Sequence, residues 1–190
     1  MKGLYTNDKH PWGTKPNFLV EKYLEFFRRG SVLDLGSGDG RDVLFLQDKG
    51  FHVTAVDKNQ NALGILTEKA SGKTDLRNTD ISVFITEKDS HWDNIISFWT
   101  LHFLRSEEAK KVYDWMKKHT KSGGINVVAD FTKDGPFYNL ETMKKDLFYL
   151  DLSQLRGIYK DWEILFYKEK EVFTKAGSKQ TAAFVVAKKP

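Results

Sequence analysis

Apolar side chains recur at helical spacing through residues 16–29, PNFLVEKYLEFFRR, and the pattern stops at Gly30, a residue suited to a helix C-cap. The run SVLDLG that follows reads as a short buried strand ending in glycine, and RDVLFLQDKG returns to helical spacing and closes at Gly50. FHVTAVD predicts a second strand, and residues 59–70, NQNALGILTEKA, a helix capped by Asn59 or a neighbour. Over 71–90 the pattern weakens; it supports a short strand near Asp75–Asn78 and a turn after Asp80. WDNIISFW predicts a strand, residues 106–120 a helix capped by Ser106, Lys121 to Gly124 a turn, and INVVADF another strand. Beyond a loop holding Gly135 and Pro136, the spacing predicts a helix over roughly 143–159. Two β-rich segments, DWEILFYKEKEVFT and TAAFVVAKK, joined by KAGSKQ, then read as an antiparallel hairpin.

Strand and helix thus alternate, which predicts an α/β fold with a mostly parallel sheet and helices on both faces. No linker, repeat or shift in composition divides residues 1–190, so a single domain is expected. The apolar fraction of 40%, with 14% aromatics, is enough for a packed core. The absence of cysteine removes disulfides, thiolate metal sites, cysteine nucleophiles and cysteine-ligated iron–sulfur clusters. The opening MKGLYTNDKHPWGTKP has no apolar signal core, and no later run approaches membrane-spanning length, so a cytoplasmic protein without a membrane partner is expected.

The formal charge of +4 is unevenly spread: residues 1–95 hold 13 Lys and Arg against 14 Asp and Glu, and residues 96–190 hold 17 against 12. The pairs Lys110-Lys111, Lys117-Lys118 and Lys144-Lys145 fall on expected helices and read as solvated faces, so a nucleic-acid partner is not expected. His91-x-Asp93 puts two potential ligands on one strand face, but no third is evident and no metal is expected.

The stretch LDLGSGDGRDV sets Gly36, Gly38 and Gly40 at alternate positions where the first strand must turn into a helix. Glycine there permits unusual dihedrals and close approach of a ligand to the backbone. The dinucleotide fingerprint G-x-G-x-x-G would place its last glycine at residue 41, which is arginine; the third glycine comes one place early. Asp57 ends the second strand 21 positions after Gly36, where a carboxylate can accept from two ribose hydroxyls, although an Asp before Lys58-Asn59 can equally cap the next helix.

The Asp-x-Gly-x-Gly-x-Gly loop, the fourth-strand segment WDNIISFWTLHFL and the turn and strand KSGGINVVADF resemble class I S-adenosylmethionine-dependent methyltransferases over residues 30–131. Within them the chain is most similar to the tellurite-resistance methyltransferase group. LDLGSGDGR, VDKN at 56–59 and the late LRGIYKDWE at 155–163 carry that likeness along almost the whole chain. The resemblance implies a Rossmann-like, doubly wound sheet of seven strands with an antiparallel C-terminal hairpin strand, and methyl transfer from S-adenosyl-L-methionine to a small-molecule acceptor by a monomer or weak homodimer. It assigns cofactor contacts to Asp34, Gly36, Ser37, Gly38, Arg41, Asp57, Lys58, Asp80, Ile81 and Ser97. Residues 1–30 become a lid and helix.

Methyl transfer from a sulfonium is an in-line displacement that needs alignment and exclusion of water, and a base only if the acceptor arrives protonated. His102, just past the fourth strand, is the candidate base or acceptor-orienting group, or else a wall residue between Leu101 and Phe103. Trp12, Phe131 and Phe137 are expected to border the acceptor. The group's His-Arg pair in the terminal hairpin is replaced here by Val172, Phe173 and Thr174, so its acceptor chemistry does not carry over. That departure motivates a second reading, a non-catalytic binding module. A third, an NAD-binding oxidoreductase, rests on Gly36, Gly38 and Asp57 and is opposed by Arg41. SFWTLHFL lacks the Asn/Asp-Pro-Pro-Tyr motif of enzymes that methylate base amino groups.

Overall fold

A computed structural model describes residue 5 and residues 10–139, 146–174 and 177–190. Seven strands make one sheet: β1 (Ser31–Leu35), β2 (His52–Asp57), β3 (Thr74–Asn78), β4 (Asn94–Phe98), β5 (Ile125–Phe131), β6 (Glu163–Phe173) and β7 (Lys179–Lys188). Their order is β3-β2-β1-β4-β5-β7-β6, with β1 to β5 parallel and β7 inserted antiparallel between β5 and β6. The expected mixed doubly wound sheet and its terminal hairpin are therefore present.

Side chains alternate across the sheet as the period of a strand requires. Leu33 and Leu35 face one core layer with Ile95, Val128, Tyr113 and Trp115, whereas Val32 faces the other with Val53, Ile96, Leu46 and Phe184. Helices α1 (Phe18–Lys22), α2 (Arg41–Asp48) and α3 (Gln60–Thr67) contribute to the second layer. Helices α4 (Ile81–Glu87), α5 (Ser106–His119) and α6 (Gln154–Ile158) contribute to the first. Among the described residues, no helix is long and apolar enough to cross a membrane.

Four expected elements are corrected. The helix over 16–29 is two pieces: α1, capped by the Asn17 side chain, and a 3₁₀ turn at Leu24–Phe26. The chain leaves the helix so that Phe27 can pack against Phe51, centroids 5.9 Å apart, and so that Arg28 can exchange hydrogen bonds with the Asn94 side chain on the way into β1. Asp80 is followed by a helix, not a turn: its carboxylate accepts from the Ser82 N–H at 3.0 Å and caps α4, whose Ile81 and Phe84 are buried one turn apart. Ser106 is the first residue of α5, and Arg105 occupies the cap position, its N–H donating to Glu108.

The helix expected over 143–159 is, among the described residues, only α6. Phe148, Tyr149 and Leu150 are buried in succession, which a helix face cannot do, and Leu147 and Leu150 form isolated bridges to Arg105 and Thr132. Residues 140–145, including Lys144 and Lys145, lie outside the described part.

The amino ends of the parallel strands are tied by one carboxylate. Asp93 is buried and accepts from the Ser31 N–H and hydroxyl, both at 2.9 Å, while Arg28 and Lys121 approach it at 3.3 and 3.2 Å.

Candidate functional site

The strand order reverses between β1 and β4, and in an open α/β sheet the crevice outside the carboxyl ends at that point is the usual ligand site. The glycine loop fills this position. The Gly36 and Ser37 N–H groups donate to the Val56 carbonyl at 2.8 and 3.1 Å, which folds the loop back over β2. Gly36 and Gly40 have φ of 85° and 83°, and each is needed for a different contact. A Cβ at Gly36 would lie 2.1 Å from the Thr100 hydroxyl, and one at Gly40 2.3 Å from a Leu66 methyl. Gly40 therefore seats the start of α2 against α3.

Asp57 closes the loop. One of its oxygens accepts from the Gly38 N–H and the other from the Asn59 N–H, both at 2.8 Å, so the carboxylate is fixed at the end of β2. Beneath it, Asp34 is buried; burial pushes its carboxyl up strongly, and the neighbouring Asp42 and Asp57 add to this. The Ser37 hydroxyl is buried without a hydrogen-bond partner. Lys58 reaches Asp80 at 3.1 Å. Burial opposes ionisation of Asp80, but the Ser82 and Lys58 hydrogen bonds outweigh it and hold the carboxyl below its usual range. Ile81 packs into the core with Phe84, and the buried Ser97 hydroxyl donates to the Leu35 carbonyl at 2.9 Å, joining β4 to β1 under the loop.

The amino-terminal segment lies across this loop. The His10 imidazole sits 2.8 Å from the buried Asp39 carboxylate, Arg41 donates to the Trp12 carbonyl at 3.2 Å, and the Asn17 N–H donates to Asp42 at 2.5 Å. The Tyr5 hydroxyl would be 2.8 Å from a Cβ at Gly38. Burial pushes that hydroxyl up to about 12, against a lowering hydrogen bond with Trp12. Tyr5 and Asp39 were not singled out in the sequence, because neither occupies a recognisable motif position.

On the other side of the loop, Thr100 leads into a 3₁₀ turn at Leu101–Phe103. There His102 is buried, its Nδ1 2.5 Å from Asp130 Oδ1, while its backbone N–H donates to Asp130 Oδ2 at 3.1 Å. Its ring centroid lies 4.0 Å from that of Phe103 and 4.8 Å from that of Phe131, and Phe131 is 5.0 Å from Trp99, a residue held at φ 57°. Tyr149 adds a further ring 6.3 Å from His102, and its buried hydroxyl, like that of Thr132, has no hydrogen-bond partner. Phe137 belongs to the 3₁₀ turn Pro136–Asn139, and its side chain lies outside the described part. Among the described residues no group of three metal-ligating side chains occurs.

This strand order and glycine cradle define the Rossmann-like methyltransferase fold. The crystal structure of TehB from Haemophilus influenzae superposes with a TM-score of 0.77 at 28% identity, covering 90% of this chain and 61% of that one. The glycopeptide N-methyltransferase MtfA complexed with S-adenosyl-L-methionine shares the fold with a TM-score of 0.58 at 16% identity, covering 86% of this chain and 88% of that one. The tellurite resistance protein TehB family model matches residues 6–178, and the chain belongs to that family. A curated relative, the probable S-adenosyl-L-methionine-dependent methyltransferase TehB of Haemophilus influenzae, is 32% identical over 140 residues, 73% of this chain and 48% of the relative. The chain thus spans about half the length of that relative.

Proposed function

We infer that the chain is an S-adenosyl-L-methionine-dependent methyltransferase acting on a small molecule. The observation that carries this is the cradle itself: a glycine turn pinned by Asp57 at the switch point of the sheet, with the rings of Trp99 and Phe131 beyond it on the β4–β5 side. The residues fit the cofactor. The Ser37 hydroxyl is a buried group in want of a partner, and the space over Gly38 is one that any side chain would occupy. Asp57, with lone pairs beyond those used by Gly38 and Asn59, would take the ribose hydroxyls; Ser37 and the Gly36–Gly38 backbone would line the chain between ribose and amino acid. Bound there, S-adenosylmethionine supplies an electrophilic methyl group. The protein's part is to align the acceptor and keep water out, and Tyr5, with His10 and Trp12 bonded to Asp39 and Arg41, supplies the cover.

Calorimetry with S-adenosylmethionine, followed by mass spectrometry of products from a panel of small thiols, oxyanions and amines, tests the reading. Absence of cofactor binding would end it. Asp57→Ala removes charge-assisted bonds to ligand and loop alike, and the dissociation constant is expected to rise tens-fold or more, about 2–4 kcal/mol, with circular dichroism unchanged. An unaltered constant would take Asp57 out of the site.

Deleting residues 1–14 removes the His10–Asp39 and Trp12–Arg41 contacts but spares Asn17 and α1. Turnover is expected to fall by more than tenfold while the melting temperature moves only a few degrees. Full activity in the truncated chain would show that the segment is no cover.

A further inference from the structure

The His102–Asp130 pair has a geometry that the binding of a cofactor does not require. Asp130 is 1% exposed at the end of β5, in a strand otherwise apolar at this end, and a carboxylate so placed needs a partner. It has three: the Nδ1 and backbone N–H of His102 and the N–H of Phe131. An ionised carboxylate can only accept, so the ring donates from Nδ1, and in the neutral ring that leaves the lone pair on Nε2. One contact holds the pair beside the glycine loop: Thr100, two residues before His102, meets Gly36; on the other side Phe131, next to Asp130, packs at a tilt against Trp99.

We propose that His102 and Asp130 form a proton-accepting dyad, with Asp130 as the positioning residue, and that the methyl acceptor is a small thiol or selenol. The proposal rests on the methyl-transfer reading above and adds the acceptor to it.

The acceptor class follows from what the pair can and cannot do. A base is useful only to a nucleophile that arrives with its proton. A thiol lies about two pKa units above imidazole, within reach of proton transfer, whereas alcohols lie far above and amines arrive as cations. Phe103, Phe131, Trp99 and Tyr149 present ring surface that suits polarisable sulfur.

In the step itself, Nε2 of His102 takes the S–H proton and the freed sulfur electron pair forms the new S–CH₃ bond. The cofactor departs as a thioether with the electrons of its broken C–S bond. Asp130 stabilises the imidazolium until its proton passes to water. Among the described residues, the other ionisable groups that interact with Asp130 are Tyr149 and, on α5, Tyr113. Burial and then Asp130 itself push both phenols up, so neither competes as a base near neutral pH.

The test compares two acceptors in the full chain and in His102→Gln and Asp130→Asn: an alkanethiol, protonated at neutral pH, and an arenethiol, already ionised there. Both variants are expected to lose roughly a hundredfold or more in kcat with the alkanethiol and much less with the arenethiol, with cofactor affinity unchanged by calorimetry. A purely structural role would lower both acceptors equally. Nitrogen NMR of the cofactor-free protein should show His102 protonated on Nδ1 in the native chain and altered in Asp130→Asn. Cofactor binding without thiol methylation, equal losses on both acceptors, or an Nε2-protonated ring would each overturn the dyad and leave the methyltransferase reading standing. Loss of cofactor binding by the native chain would overturn that reading itself.

Discussion

Gly38→Val is expected to weaken S-adenosylmethionine binding at least a hundredfold while the protein still unfolds in a single thermal transition. Gly38 has φ 56°, a region where a β-branched residue is an outlier costing about 1–2 kcal/mol. That cost is small beside the stability of a domain of this size, about 5–15 kcal/mol. The effect on binding is larger because of where the side chain goes. A Cβ there would come within 2.8 Å of the Tyr5 hydroxyl, so the isopropyl group enters the gap between loop and cover that the ligand would use. Gly50→Val is the control: Gly50 has φ 91° and nothing within 4 Å of an added Cβ. It should lose comparable stability and bind the cofactor normally. Native affinity in Gly38→Val would reduce the loop to a turn.

Asp93→Ala is expected to lower the melting temperature by about 10 °C, the equivalent of about 3 kcal/mol in a chain of this length. The substitution strands the Ser31 N–H at the start of β1 and releases Arg28 and Lys121 to solvent. The same carboxylate sets an acid limit. Burial alone would raise its pKa, but the Ser31 and Lys121 hydrogen bonds and the Lys121 charge outweigh burial and hold it below the ordinary aspartate value. Its contribution is therefore complete above the unfolded pKa of about 4 and disappears as pH falls through the lower folded value. Thermal melts of native and Asp93→Ala protein should differ most near neutrality and converge below about pH 4. A constant difference across that range would remove Asp93 as the source.

The parallel half of the sheet was legible because its strands alternate between two core layers and end at glycine or aspartate, as SVLDLG and FHVTAVD do. Helix α4 was not. Ile81, Val83, Ile85 and Thr86 are β-branched and weak helix formers, and the Asp80 cap that compensates for them also reads as a turn residue. The segment before α6 misled for the opposite reason: Leu147 to Leu150 are apolar in a row and satisfy a helical pattern, but they are used as an extended crossing bridged to Arg105 and Thr132.

The glycine loop announced itself through spacing. The His102–Asp130 contact did not, because 28 residues separate its members and the β4–β5 register alone brings them together. Likewise Asp39 read as one more loop residue until His10 was placed on it.

The insertion of β7 between β5 and β6 governs the order in which the sheet can be finished. Strand β5 is almost wholly buried and bonds to β4 on one side, but its other edge is closed only by β7, made after β6. During synthesis the parallel half can assemble with that edge bare, a row of unpaired amides and carbonyls beside Ile125, Val127 and Ala129. The nascent chain is therefore most vulnerable to pairing with a neighbour in the interval before β7 emerges from the ribosome. Asp130 pairs with Ala183 across that edge, so the surroundings of the His102–Asp130 pair are complete only once β7 is in place.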